Sequence, residues 1–158
     1  MISVHEHTVS EGPDETEALG RALSSELRGG EIILLRGHLG AGKSVLARGV
    51  ALGLHASEWK GSPTFTLINE YETLPAMYHA DLYRLTQAEV EDLGLEEYAR
   101  PDSVLLVEWP ERDYDFLVSL AASEAIDVNI AYAGPERRSI SIARAASGGT
   151  TALGHRVP

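Results

Sequence analysis

Cysteine is absent from the 158 residues, and lysine occurs only twice, as Lys43 and Lys60. Without cysteine the chain has no disulfide, thiolate zinc site or thiol nucleophile, and its redox compartment stays open. No apolar run approaches the roughly 18 residues of a membrane span. The polar, acidic start MISVHEHTVSEGPDE suits neither a signal peptide nor a basic transit segment. The expectation is a cytoplasmic protein with no membrane and no disulfide partner. Positive charge is scarce as well. Against 24 acidic residues stand 13 Lys and Arg, for a formal net charge of -11, which repels a polyphosphate backbone. Broad nucleic-acid binding by the chain itself is therefore not expected. A basic patch would have to draw on scattered arginines or on residues 137–158, which carry four arginines and no acid.

What is present suits one compact domain. Hydrophobic residues make up 44% and charged residues 23% of a 17.1 kDa chain, long enough to bury about two thirds of its unfolded surface in a single core. We expect one domain over residues 1–145 and a loosely ordered tail over 146–158, rich in Gly, Thr and Ala. ISVHEHTV (2–9) alternates like a half-buried strand. Leu19, Ala22, Leu23 and Leu27 recur at helical spacing behind Asp14 and Glu15, and Gly29-Gly30 closes that helix. EIILLRG (31–37) and, within SVLLVEWPE (103–111), Val104 to Val107 are short apolar runs of the kind buried on both faces of a parallel sheet. Residues 59–74 form a polar turn and a β-rich run, and MYHAD is a strand ending at Asp81. Thr86 and Glu89 form a candidate capping box for a helix over 86–93. AIDVNIAYA (125–133) and RRSISIARA (137–145) suggest an antiparallel hairpin joined by GPE. The fold class is thus α/β, a mostly parallel sheet flanked by helices with a C-terminal hairpin, in which ligands gather beyond the strand C-termini.

One of the two lysines stands among glycines, in GHLGAGKSV (37–45). Gly37-x4-Gly42-Lys43-Ser44 fits the phosphate-binding loop: glycines let backbone N–H groups face the β-phosphate, the lysine reaches β and γ oxygens, and the serine hydroxyl meets Mg2+. Chance would supply these four fixed positions on the order of less than once in a hundred such chains. The context is right too, with an apolar strand before and a helix after. A compact ammonium on a flexible stem follows a phosphate as a point charge where a planar guanidinium wants a fork, a reason for lysine in an arginine-rich chain. Candidate nucleotide contacts are Gly37, His38, Leu39, Gly40, Ala41, Gly42, Lys43, Ser44 and Val45. Ser44, Asp81 and Glu108 are candidates for Mg2+, and Lys43, Asp81 and Glu108 for catalysis. Gly37, Asp81 and Glu108 all fall at strand C-termini and meet if their strands are parallel neighbours. Ser62-Pro63-Thr64-Phe65-Thr66 occupies the place of a switch segment that senses the γ-phosphate. Thr64 and Thr66 are its candidate contacts, with ordinary strand residues as the alternative. His79 beside Asp81, near a strand end, reads first as a hydrogen-bonded structural histidine, and Trp109 as core or exposed contact.

GHLGAGKS (37–44), SPTFTLINEY (62–71), HADLYRL (79–85) and LLVEWPER (105–112), in this order and spacing, resemble the bacterial TsaE family, also called YjeE. The resemblance covers nearly the whole chain. It implies a compact P-loop ATPase that uses ATP and Mg2+ and works with the TsaD and TsaB proteins, whose complex makes N6-threonylcarbamoyladenosine in tRNA. Contact with tRNA is then indirect, through that complex. The resemblance makes Lys43 the phosphate lysine, Ser44 the metal hydroxyl, and Asp81 and Glu108 the two acids. We favour Glu108 for aiming the attacking water and Asp81 as the second metal contact. Two positions depart from the family: His38 stands where Asp or Asn is usual, and Ser44-Val45 where Thr-Thr is common. Serine keeps the hydroxyl that the metal needs. The alternatives are a nucleotide-gated binding module with negligible hydrolysis, a small-molecule kinase, or a purely structural protein. ATP is preferred over GTP mainly on the resemblance, since no guanine-specific NKxD stretch occurs.

Overall fold

A computed structural model describes residues 5–63 and 65–146. Seven strands form one mixed sheet, β1 (His5–Ser10), β2 (Glu31–Arg36), β3 (Ile68–Tyr71), β4 (Ala76–Asp81), β5 (Ser103–Glu108), β6 (Glu124–Tyr132) and β7 (Arg138–Ala146). Their order across the sheet is β1-β7-β6-β2-β5-β4-β3. The centre, β6-β2-β5-β4, is parallel, while β1, β7 and β3 pair antiparallel at the edges. The helices are α1 (Pro13–Ser24), α2 (Lys43–Gly53), α3 (Gln87–Asp92) and α4 (Tyr114–Ser119). No helix of the described residues is long and apolar enough to cross a membrane.

Alternation along the central strands builds two cores. Ile33, Leu35, Val104, Leu106 and Val128 face α1 and α2, while Ile32, Leu34, Leu105 and Val107 face α3 and α4. Strands buried on both sides therefore read as continuous apolar runs. Thr86 caps α3 with the expected reciprocal bonds to Glu89. The polar run 59–74 yields less strand than expected, only Ile68–Tyr71. The hairpin strands end one residue earlier and begin one later than GPE implied, so its connection runs over 133–137. The expected tail falls outside the described residues beyond Ala146.

Helices α1 and α2 touch at glycines. A Cβ on Gly49 would sit 2.1 Å from the Glu17 carbonyl oxygen, and one on Gly20 would sit 2.3 Å from that of Leu46. The internal glycines that weaken α2 by propensity are thus required by the approach of α1. Gly49→Ala is expected to cost about 1 to 3 kcal/mol through overpacking. A urea midpoint that falls at unchanged slope would show it.

Candidate functional site

The loop 37–42 leaves the C-terminal end of β2 and enters α2 at Lys43. Gly37, Gly40 and Gly42 all have positive φ, at 154°, 77° and 111°. At Gly37 a Cβ would meet the Ile130 carbonyl oxygen at 2.6 Å, and at Gly40 the Tyr132 hydroxyl at 2.8 Å, so side chains are excluded there by both backbone and neighbours. The amides of Gly40 and Gly42 donate to no acceptor among the described residues. On the outer side the loop is tied to the hairpin. Tyr132 Oη donates to the Leu39 carbonyl at 2.6 Å, Arg138 Nε donates to that of Ala41 at 2.9 Å, and the Arg138 guanidinium stacks 4.5 Å over the Tyr132 ring.

Lys43 is 6% exposed. Its Nζ donates to the carbonyls of Gly37 at 2.5 Å and His38 at 3.1 Å, and lies 4.4 Å beneath the Trp109 ring centroid. Burial pushes the ammonium below its usual range, opposed by the charges of Glu108, Glu111 and Asp81. Trp109 reaches this place from φ 60°, a left-handed conformation that is uncommon for a bulky residue.

The two acids meet across the sheet. β5 lies between β2 and β4, with Glu108 in register with Leu35 on one side and Asp81 on the other. Glu108 is buried and faces the loop: Ser44 Oγ donates to its Oε1 at 3.4 Å, Ser62 Oγ donates to its Oε2 at 3.3 Å, and the two hydroxyls are 2.9 Å apart. Asp81 Oδ1 accepts from the Tyr83 amide at 3.0 Å. Burial raises the Asp81 carboxyl and the charge of Glu108 adds to the rise, while the Tyr83 amide lowers it. Lys43, Ser44, Asp81 and Glu108 line one cleft of about 490 Å3 together with Leu39 and Arg84.

Gly40, Gly42 and Val45 line this cleft as well, while other expected contacts lie apart from it. Ala41 is buried behind the loop, and Gly40, Gly42 and Val45 also line a smaller hollow of about 130 Å3 bounded by Thr16, Pro135 and Arg138. His38 is exposed and its ring lines neither space. Thr66 is exposed and its hydroxyl donates to Asn69 Oδ1 at 3.2 Å. Thr64 lies outside the described residues. Of the switch-like segment it is Ser62 that enters the cleft, a residue quoted with its neighbours but not singled out in the sequence. Tyr132 and Arg138 were missed because only strand pairing brings them to the loop.

The donor set suits a hard cation, since hydroxyl and carboxylate oxygens face one another across the cleft. Among the described residues no group of three or more His, Cys, Asp or Glu is placed to hold a metal ion.

Comparison with known proteins bears on the family and the fold. The profile of the family described as "Threonylcarbamoyl adenosine biosynthesis protein TsaE" matches residues 10–140. The chain is 37% identical over 146 residues to the tRNA threonylcarbamoyladenosine biosynthesis protein TsaE of Bacillus subtilis, covering 91% of this chain and 84% of that one. A Synechocystis protein of the same name is 47% identical over 102 residues, covering 61% of this chain and 65% of its own length. The crystal structure of Bacillus subtilis YdiB superposes with a TM-score of 0.73 at 29% identity, over 94% of this chain and 89% of that one.

Proposed function

The chain belongs to the TsaE family, and from that premise we propose that it binds and hydrolyses ATP to sustain turnover of a TsaD–TsaB complex that makes N6-threonylcarbamoyladenosine in tRNA. Membership gives it a place in that modification machinery; the catalytic part rests on the geometry. The observation that carries it is the meeting of Lys43, Ser44, Asp81 and Glu108 in one cleft beside a glycine loop with uncommitted amides. Work in the cytoplasm, where tRNA is modified, belongs to the same proposal.

In this reading the amides of the loop hold the phosphates and Lys43 moves from the Gly37 and His38 carbonyls onto β and γ oxygens. Bound Mg2+ would supply positive charge against the negative charge that develops on the phosphates. Ser44 and Glu108 would hold it, because Ser44 faces Glu108 and no bond joins Ser44 to Asp81. Asp81, with Oδ1 fixed by the Tyr83 amide, then orients water. This exchanges the roles favoured from the sequence. The nucleoside end leaves the loop on the side away from the carboxylates, toward the hollow at Thr16, Pro135 and Arg138.

The direct test is hydrolysis of ATP and GTP with and without TsaD and TsaB, alongside nucleotide binding. Absence of phosphate release in the reconstituted complex would sink the ATPase reading and leave a nucleotide-gated module. Arg138→Ala is expected to raise KM for ATP about tenfold with kcat within about twofold, the loss of about one charged hydrogen bond on the loop. Steady-state kinetics in the complex measures it.

A further inference from the structure

His79 lies in β4 two residues before Asp81, on the same side of the strand, and is 0% exposed. Its Nε2 is 3.3 Å from Glu108 Oε1, yet off the hydrogen-bonding direction, and neither ring nitrogen has a hydrogen-bond partner among the described residues. Buried polar atoms left unpaired are costly and call for a physical explanation. The carboxylate of Glu108 is the group within reach.

The ring is also held in plane. Trp59 stacks on it at 5.7 Å and 20°, and Trp59 also stacks with Tyr71 at 5.9 Å and 8°. Tyr71 is buried, and its hydroxyl accepts from the Lys60 amide at 3.1 Å. Trp59, from the segment that carries Ser62, thus packs against rings of both β3 and β4. That segment meets Glu108 at two points: through Trp59 and His79 at Oε1, and through the Ser62 hydroxyl at Oε2.

We propose that His79 is a positioning residue for Glu108. With its proton on Nε2, the imidazole donates to Oε1 once the carboxylate turns onto the nucleotide's cation, and the Trp59 stack prevents the ring from following the carboxylate away. His79 touches neither nucleotide nor metal and acts through Glu108 alone, as outer-shell partners orient ligating carboxylates elsewhere. The proposal rests on the ATP·Mg2+ reading of the cleft.

The experiment compares wild type, His79→Phe and His79→Gln. Phenylalanine keeps a ring for Trp59 to stack on but lacks the donor; glutamine restores an N–H near the Nε2 position. Affinity for a fluorescent ATP analogue is titrated with and without Mg2+, and kcat is measured with TsaD and TsaB. For H79F the expected result is unchanged affinity without Mg2+, a roughly tenfold smaller gain on adding Mg2+, and a kcat about 10- to 100-fold lower. H79Q should recover most of both losses. Wild-type Mg2+ dependence and kcat in H79F overturn the proposal, as does a folded H79Q no better than H79F. If H79F fails to fold, H79Q decides: retained Mg2+ dependence supports the donor role, and lost dependence in a folded H79Q overturns it. Failure of the wild type to bind ATP with Mg2+ overturns the cleft reading and this inference with it, whereas normal wild-type binding with an unaffected H79F overturns this inference alone.

Discussion

Lys43→Ala is expected to abolish nucleotide binding at accessible concentrations and to reduce turnover by at least about 1,000-fold. Lys43 is the buried cation of the cleft, and it sits within reach of its phosphate task at the base of α2. Truncating a desolvated charge that pairs with phosphate costs about 3 to 5 kcal/mol, or two to four orders of magnitude in affinity. Folding should survive, since the variant loses two hydrogen bonds to loop carbonyls and the contact with the Trp109 ring, and Lys43 is not part of either apolar core. Lys43→Arg should fail nearly as badly. The planar fork has to fit beneath the Trp109 ring, 4.4 Å from the present ammonium, and cannot follow a phosphate as a point charge. Equilibrium binding and circular dichroism on both variants check these expectations, and wild-type turnover of K43A in the complex would remove the phosphate-site assignment.

Glu108→Gln is expected to lose about 100-fold or more in kcat together with the contribution of Mg2+ to nucleotide affinity. Glutamine keeps the volume between Ser44 and Ser62 but removes the charge that makes the carboxylate a good ligand for a hard cation. Asp81→Asn should lower kcat comparably while Mg2+-dependent affinity stays, because water orientation matters in the transition state and not for binding. A magnesium titration of nucleotide affinity in both variants separates the roles. The opposite pattern would return the metal to Asp81 and the water to Glu108.

The central sheet was legible because its strands carry their burial in their composition. Ile32 to Leu35 and Val104 to Val107 are apolar on both faces, and each run ends where a functional residue begins. The loop was legible for a different reason: positive φ at Gly37, Gly40 and Gly42 restricts those positions to glycine, so conformation shows directly in the letters. What stayed hidden depends on contacts distant in sequence. Ser62, His79 and Glu108 come together only after β4 and β5 pair, and no local pattern separates Ser62 from the nearby threonines. Helix α4 is six residues long, too short for a period to emerge. Its Tyr114 donates to Asp127 Oδ2 at 2.6 Å, beside the Arg36–Asp127 pair, a buried link between β2 and β6 that spacing does not announce.

The hairpin at the far end of the chain also acts on the phosphate loop in a way that its sequence does not suggest. In a planar trans peptide the carbonyl and the following N–H point in opposite directions. Tyr132 pulls the Leu39 carbonyl outward and Arg138 pulls that of Ala41, so the N–H groups of Gly40 and Gly42 are turned inward. The β6–β7 hairpin therefore serves as a jig that sets donor dipoles during folding, and an anion arriving there would meet them already aimed, with little reorganisation left to do. A chain with the loop intact and β7 removed would keep every glycine of the loop and lose the hold of Arg138 on the Ala41 carbonyl.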